Sequence, residues 1–259
     1  MITMISEMKK VRELFPEGSL RFIAGPCAVE SREQMMETAK FLSSLGVNIL
    51  RGGAFKPRTS PDSFQGLKEQ GLKLMREAAH KYGMLVVTEV MGNSELDLVS
   101  DYADILQIGS RNCQNFSLLK EVAKQEKPVL LKRGFGNTVE EFYQASRYLS
   151  ADGNDDIILV ERGIRTFENS TRFTLDISAI PVLKKKVKFP IVVDPSHPAG
   201  VREYVEPLAL AAVAAGADGL MVETHPNPEE AMSDKEQQLD FPAFKKLYEK
   251  AMKIRSSQF

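Results

Sequence analysis

Residues 191–225 read IVVDPSHPAGVREYVEPLALAAVAAGADGLMVETH. A short, β-branched apolar run, IVVDPSH, passes through a proline-containing turn into a longer segment with helical spacing, and a second apolar run, GLMVETH, follows. One strand, one crossover helix and a further strand make a βα unit. The most apolar part, LALAAVAAGADGLMV from Leu208, is broken by Gly216 and Asp218 before it reaches the length of a membrane span.

Working outward, the unit repeats. RFIAGPC from Arg21, ILRGGAF from Ile49, MLVVTEV from Met84, ADILQIG from Ala103, PVLLKRG from Pro128 and DIILVERG from Asp156 precede these two runs and bring the count to eight. Their starts are 28, 35, 19, 25, 28, 35 and 28 residues apart, room each time for a loop, a helix and another loop. Between them, SREQ at Ser31 is a capping-box pattern closed by Gly46, and TVEE at Thr138 opens an amphipathic stretch that ends near Leu149. Eight near-continuous apolar strands alternating with helices predict an α/β fold, a closed (β/α)8 TIM barrel. The competitor, an open doubly wound sheet, would bring a glycine-rich fingerprint after its first strand, and GPCAVES carries a single glycine. Residues 1–20 are then a short N-terminal extension, too few for a second domain, that either caps the barrel bottom or frays, and residues 21–259 are the catalytic barrel with a closing helix after Glu223.

The chain has 259 residues, 43% hydrophobic and 27% charged, enough apolar mass for a substantial core. Its 34 Lys and Arg balance 35 Asp and Glu, which argues against nucleic acid or an anionic membrane as partner. Cys27 and Cys113 cannot form a disulfide framework, and MITMISEMKK has no apolar leader core, so the expected setting is the reducing cytoplasm.

In a barrel the carboxyl ends of the strands converge on one mouth. Strand by strand this chain places there Cys27; Arg51 with Lys56 and Arg58; Glu89; Gln107 with Arg111; Lys132 with Arg133; Arg162 with Arg165; Asp194 with His197; and Glu223 with His225. Any one of these reads as a solvated loop charge, but eight strands repeating the pattern do not. Cys27, His197, Glu223 and the later Asp234 are donors that one divalent transition metal accepts, with manganese, iron, zinc and cobalt all open. Alone, Cys27 is a small buried hydrophobe and His197 a loop imidazole bonded to backbone. His225 is the competing imidazole, and His80 is a surface residue near a helix end. Arg51, Lys56, Arg58, Arg111, Lys132, Arg162 and Arg165 form a cation cluster in a chain of net charge -1, which calls for a small substrate with more than one phosphate or carboxylate.

GPCAVES, RGGAFKPRTSPDSFQGL, QIGSRNCQNFSLL, LLKRG, ERGIRTFE, VDPSHPAG and VETHPNPEEAMSD resemble, from about Phe22 onward, the type I beta class of 3-deoxy-D-arabino-heptulosonate 7-phosphate synthases. The resemblance implies a (β/α)8 barrel that joins phosphoenolpyruvate to erythrose 4-phosphate in the first step of the shikimate pathway. It places Cys27, His197, Glu223 and Asp234 on the family's metal ligands, and Arg111 and Arg162 on the groups that hold the phosphoenolpyruvate phosphate. Lys132, Arg51 and Lys56 match groups around the carboxylate and reacting carbons, Arg58 with Thr59 matches the clamp on the sugar phosphate, and Glu89, Gln107 and Asp194 complete the substrate lining. It also implies a homo-oligomer, a tetramer in relatives. KPRTS separates this class from the sister 3-deoxy-D-manno-octulosonate 8-phosphate synthases, which take arabinose 5-phosphate; a barrel that binds sugar phosphate without catalysis would not need four metal ligands. Two departures stand out. KEQQL follows Asp234 where a glycine and a serine are expected, and the 20 leading residues leave no room for an appended regulatory domain, so insensitivity to aromatic amino acids is the expectation.

Overall fold

The computed structural model describes residues 10–56, 64–151 and 153–258. Eight parallel strands close into a barrel in chain order: β1 Arg21–Gly25, β2 Ile49–Arg51, β3 Leu85–Glu89, β4 Ile105–Ile108, β5 Val129–Lys132, β6 Ile157–Glu161, β7 Ile191–Val193 and β8 Gly219–Glu223. All eight fall on the runs read from the sequence. The seam pairs β1 with β8 over five residues, from Arg21 opposite Gly219 to Gly25 opposite Glu223.

Helices α1 Val11–Leu14, α2 Arg32–Ser44, α3 Glu69–Tyr82, α4 Asn93–Tyr102, α5 Phe116–Ala123, α6 Val139–Ser150, α7 Ala179–Lys186, α8 Ser196–Ala199, α9 Arg202–Ala214 and α10 Phe241–Ser256 lie between and around the strands. The Thr138 capping box is complete at α6. At α2 the Ser31 hydroxyl accepts from the Gln34 amide, while the Gln34 side chain reaches one residue further back, to the amide of Glu30. None of the described helices is long and apolar enough to cross a membrane, and both cysteines are free thiols.

Strand residues alternate between two apolar layers, as the two-residue period requires. Phe22, Ala24, Leu50, Val86, Leu106, Leu131, Leu159, Val193 and Val222 face the helices. Ile23, Ile49, Val87, Ile105, Leu130, Ile158, Val160, Val192 and Met221 fill the barrel interior, joined at its bottom by Val11, Leu14 and Phe15. The Val11 amide donates to Asp156 at 3.0 Å, which pins α1 across that end. The closing helix stacks Phe241 on Phe41 at 4.1 Å and sets Phe244 edge-on to Phe22.

The inward parity carries upward. Two residues beyond Ile49 is Arg51, beyond Val87 is Glu89, beyond Ile105 is Gln107, beyond Leu130 is Lys132, beyond Val160 is Arg162, beyond Val192 is Asp194 and beyond Met221 is Glu223. The apolar plug therefore gives way, strand by strand, to a polar floor at the carboxyl-terminal mouth.

Candidate active site

Gly25 and Cys27 extend the inward parity of β1. Gly25 sits at φ 150°, and a Cβ there would lie 2.0 Å from the carbonyl oxygen of Arg51, so only glycine lets β1 approach β2 this closely. The buried Cys27 thiol lies 3.1 Å from the Ser233 hydroxyl, 3.2 Å from Asp234 Oδ2 and 3.0 Å from Lys56 Nζ. Donor atoms of Cys27, Glu223 and Asp234 all fall within 4.8 Å of one another. His197 stands just outside this trio: its Nδ1 meets Asp194 Oδ2 at 2.6 Å, and its Nε2 is 3.7 Å from Glu223 Oε1.

The electrostatics of this corner are those of a cation site. Burial, with Glu223 alongside, pushes the Cys27 thiol up to about 12. Burial also opposes charge on Glu223 and Asp234, yet His197 and Arg51 hold the first below its ordinary value, and His197, Lys56 and Arg172 bring the second down to about 2. A buried and a partly buried carboxylate beside a neutral thiol would gain from a divalent ion, which would draw the thiol to thiolate. The donor set of sulfur, carboxylates and an imidazole whose other nitrogen is held by a carboxylate fits such an ion. His225 is turned away from this role. Its Nδ1 accepts from the Asn227 amide and its Nε2 faces Glu30 at 3.4 Å, where it braces the loop after β8.

Across the mouth lies the cationic half. Arg51 Nη1 donates to Pro26 O at 2.8 Å and Glu223 Oε1 at 2.9 Å, and Lys132 Nζ meets Asp194 Oδ2 at 2.5 Å. Arg162 has no carboxylate partner within salt-bridge distance among the described residues; its Nη1 reaches Gly163 O at 3.3 Å, and burial brings its guanidinium down to about 10. That guanidinium lies 4.2 Å from the ring centroid of Phe173 and 5.0 Å from that of Phe135. The two rings stack at 5.4 Å, and Arg111 and Arg165 also lie over Phe135, at 5.7 and 5.2 Å. The Nε atoms of Arg51 and Arg162 are buried without a hydrogen-bond partner. Buried guanidinium Nε donors without partners, gathered with further arginines, make this a candidate anion site, and the aromatic faces offset the repulsion among the cations.

Glu89 accepts from Gln107 Nε2 at 3.2 Å, and a Cβ on Gly109 would collide with the Glu89 carboxylate at 2.0 Å. Arg58 and Thr59 lie outside the described residues. Arg133 belongs elsewhere: one residue past Lys132, it has the opposite parity and pairs with Glu161 at 2.7 Å and Asp176 at 2.8 Å behind the mouth. His80 is exposed at the end of α3, as expected. Sequence reasoning missed Phe135, Phe173, Glu161, Gln237 and Gln238. The signal for Gln237 and Gln238 was the KEQQL departure itself: Gln238 Oε1 accepts from the Cys27 amide at 2.9 Å.

The sequence profile of the DAHP synthetase I family fits residues 14–257. A phospho-2-dehydro-3-deoxyheptonate aldolase of Thermotoga maritima is 60% identical over 237 residues, 92% of this chain and 70% of that protein. A crystal structure of the Thermotoga maritima phospho-2-dehydro-3-deoxyheptonate aldolase (DAHP synthase) superposes with a TM-score of 0.91 at 58% identity, covering 93% of this chain and 71% of that one. A 2-dehydro-3-deoxyphosphooctonate aldolase of Francisella tularensis is 33% identical over 82% of both chains.

Proposed function

The chain belongs to the DAHP synthetase I family, and on that premise we propose that it condenses phosphoenolpyruvate with erythrose 4-phosphate and water to give 3-deoxy-D-arabino-heptulosonate 7-phosphate and phosphate, the first step of the shikimate pathway. The observation that carries the reading is the pairing, at one mouth, of a Cys27, Glu223 and Asp234 cluster with the buried Arg162 guanidinium, whose Nε has no hydrogen-bond partner and which meets no carboxylate among the described residues.

Arg162 and Arg111 bind the phosphate of phosphoenolpyruvate, with Phe135 and Phe173 behind them. Arg51, Lys56 and Lys132 surround its carboxylate and reacting carbons, while Glu89, Gln107 and Asp194 line the pocket. Arg58 and Thr59 take the phosphate of the sugar, a role that rests on the resemblance of KPRTS. Fixing both anions holds carbon 3 of phosphoenolpyruvate against the aldehyde carbon. A new carbon–carbon bond forms there, water adds its oxygen at carbon 2, and the carbon 2–oxygen bond to phosphate breaks. Lys132, whose ammonium burial pushes down from its ordinary value while Asp194 opposes, supplies the proton to the forming hydroxyl.

The family is metal-dependent, and Cys27, His197, Glu223 and Asp234 are the residues that would hold the ion; when bound it supplies Lewis-acid polarisation of the sugar aldehyde. Manganese, iron, zinc and cobalt all suit these donors. Cytoplasmic residence, read from the cysteine count and the apolar-poor leading residues, and a homotetramer, from the resemblance, complete the reading.

The 60% identity to a heptonate aldolase, against 33% to an octonate aldolase, favours the four-carbon sugar. Phosphate release from phosphoenolpyruvate is to be compared with erythrose 4-phosphate and with arabinose 5-phosphate. Turnover with the first and little with the second is expected; the reverse preference would assign the chain to the sister reaction.

A further inference from the structure

Gln237 lies in the loop between β8 and α10, three residues past Asp234, and is 1% exposed. Its Nε2 donates to Glu223 Oε2 at 2.5 Å, and its Oε1 accepts from Arg172 Nη1 at 3.0 Å. The orientation of the amide is unambiguous, because a guanidinium only donates and an ionised carboxylate only accepts. The other Glu223 oxygen, Oε1, is held by Arg51 at 2.9 Å, so the carboxylate is gripped at both ends. The backbone carries the same link: the Gln237 amide donates to Asp234 O at 3.3 Å, closing a turn in which Asp234 adopts φ 48°, a conformation costly for a residue with a side chain.

We propose that Gln237 is a positioning residue for the metal centre: its amide holds Glu223 in register with Cys27 and Asp234, and Arg172 locks that amide in place. A neutral donor restrains the carboxylate without adding a charge that competes with a cation for it. Arg172 stands 3.5 Å from Asp234 Oδ1 and over the Phe173 ring at 6.0 Å, so the brace starts from the same β6–α7 loop that backs Arg162. This inference rests on reading Cys27, His197, Glu223 and Asp234 as the metal site.

The test uses metal-stripped full-length protein: wild type, Gln237→Ala and Gln237→Glu. Each is titrated with Mn2+ by calorimetry and with Co2+ by the thiolate charge-transfer absorption, and the thermal unfolding of each metal-free protein is recorded. Glutamate is nearly isosteric and keeps the Arg172 contact, and in its ionised form, secured by repeating the titrations at alkaline pH, it cannot donate to Glu223. Both variants are expected to weaken metal binding roughly 10- to 100-fold, the usual loss when a group orienting a ligand is removed. A glutamate variant that binds as tightly as wild type, or more tightly, would mean that packing or charge at this position matters and donation does not, and would overturn the proposal even if the alanine variant failed to fold. Wild-type protein that binds neither ion would overturn the reading of the metal site, and this inference with it. Wild-type binding with both variants unchanged overturns the inference alone.

Discussion

Lys132 Nζ and Asp194 Oδ2 meet at 2.5 Å across the floor of the mouth, both side chains at most 5% exposed, from strands β5 and β7 that are not neighbours. Alternate strands share a layer in such barrels, so the pair marks the level at which the apolar plug ends and the chemistry begins. The Asp194 carboxyl stays well below its ordinary value even though burial works against its charge, because His197 and Lys132 both touch it.

A first prediction follows for pH. Burial lowers Lys132, Asp194 raises it, and Arg162 and Arg51 lower it further. The alkaline limb of kcat therefore falls below the ordinary lysine value of 10.5. In Asp194→Asn the attraction that favours the ammonium is gone, and the limb moves to still lower pH. A limb at the ordinary lysine value, or one that Asp194→Asn leaves in place, contradicts the assignment of Lys132 as proton donor.

The thiol gives the second. Cys27→Ser keeps the shape of the side chain but removes the soft donor, whose proton a divalent ion would otherwise displace. Metal affinity should drop about tenfold or more, with the unfolding midpoint of the metal-free protein close to wild type. Undiminished affinity in calorimetry would exclude sulfur from the site.

Arg162 supplies the third. Its guanidinium lies 4.2 Å from the Phe173 ring centroid and, on the proposed reading, offers a fork of donors to the substrate phosphate; a lysine ammonium reproduces neither the planar cation over the ring nor the fork. Arg162→Ala and Arg162→Lys should both raise the KM for phosphoenolpyruvate. Loss of a charged hydrogen bond worth about 1.5–3 kcal/mol corresponds to roughly ten- to hundredfold. Full rescue by lysine in steady-state kinetics would show that charge alone is used.

Arg133 gives a prediction about stability. It is 2% exposed and bonded to Glu161, Asp176 and the carbonyl of Asn137, while Glu161 in turn accepts from the Gly163 amide at 2.7 Å. Arg133→Met leaves the buried Glu161 carboxylate without its cation and should cost about 3–5 kcal/mol. Urea unfolding measures this directly, and a loss below about 1 kcal/mol would show that the network is not a structural brace.

The contrast between Lys132 and Arg133 shows what the sequence made legible. Apolar runs and helical spacing alone located eight strands, and inward parity carried Arg51, Gln107, Lys132, Asp194 and Glu223 to the mouth. Adjacent charges at one strand end looked alike in the sequence. Only the pleat separates the inward lysine from the outward arginine, whose partner Glu161 reads as one more acidic residue after an apolar run. Phe135 and Phe173 stand 38 positions apart and stack because two loops meet, a tertiary fact that no local pattern encodes. KEQQL marks Gln237 as part of a departure in the sequence, but its role depends on a carboxylate partner 14 residues earlier that only the fold brings beside it.

If one mouth joins an anion site to a metal centre for the condensation of phosphoenolpyruvate with a four-carbon sugar phosphate, turnover depends on the ion. Phosphate release is to be followed with both substrates before chelation, after exhaustive chelation, and after Mn2+ is returned. Turnover, its loss and its recovery are expected in that order; undiminished turnover after metal removal, or no turnover with Mn2+ restored, would contradict a metal centre at this mouth.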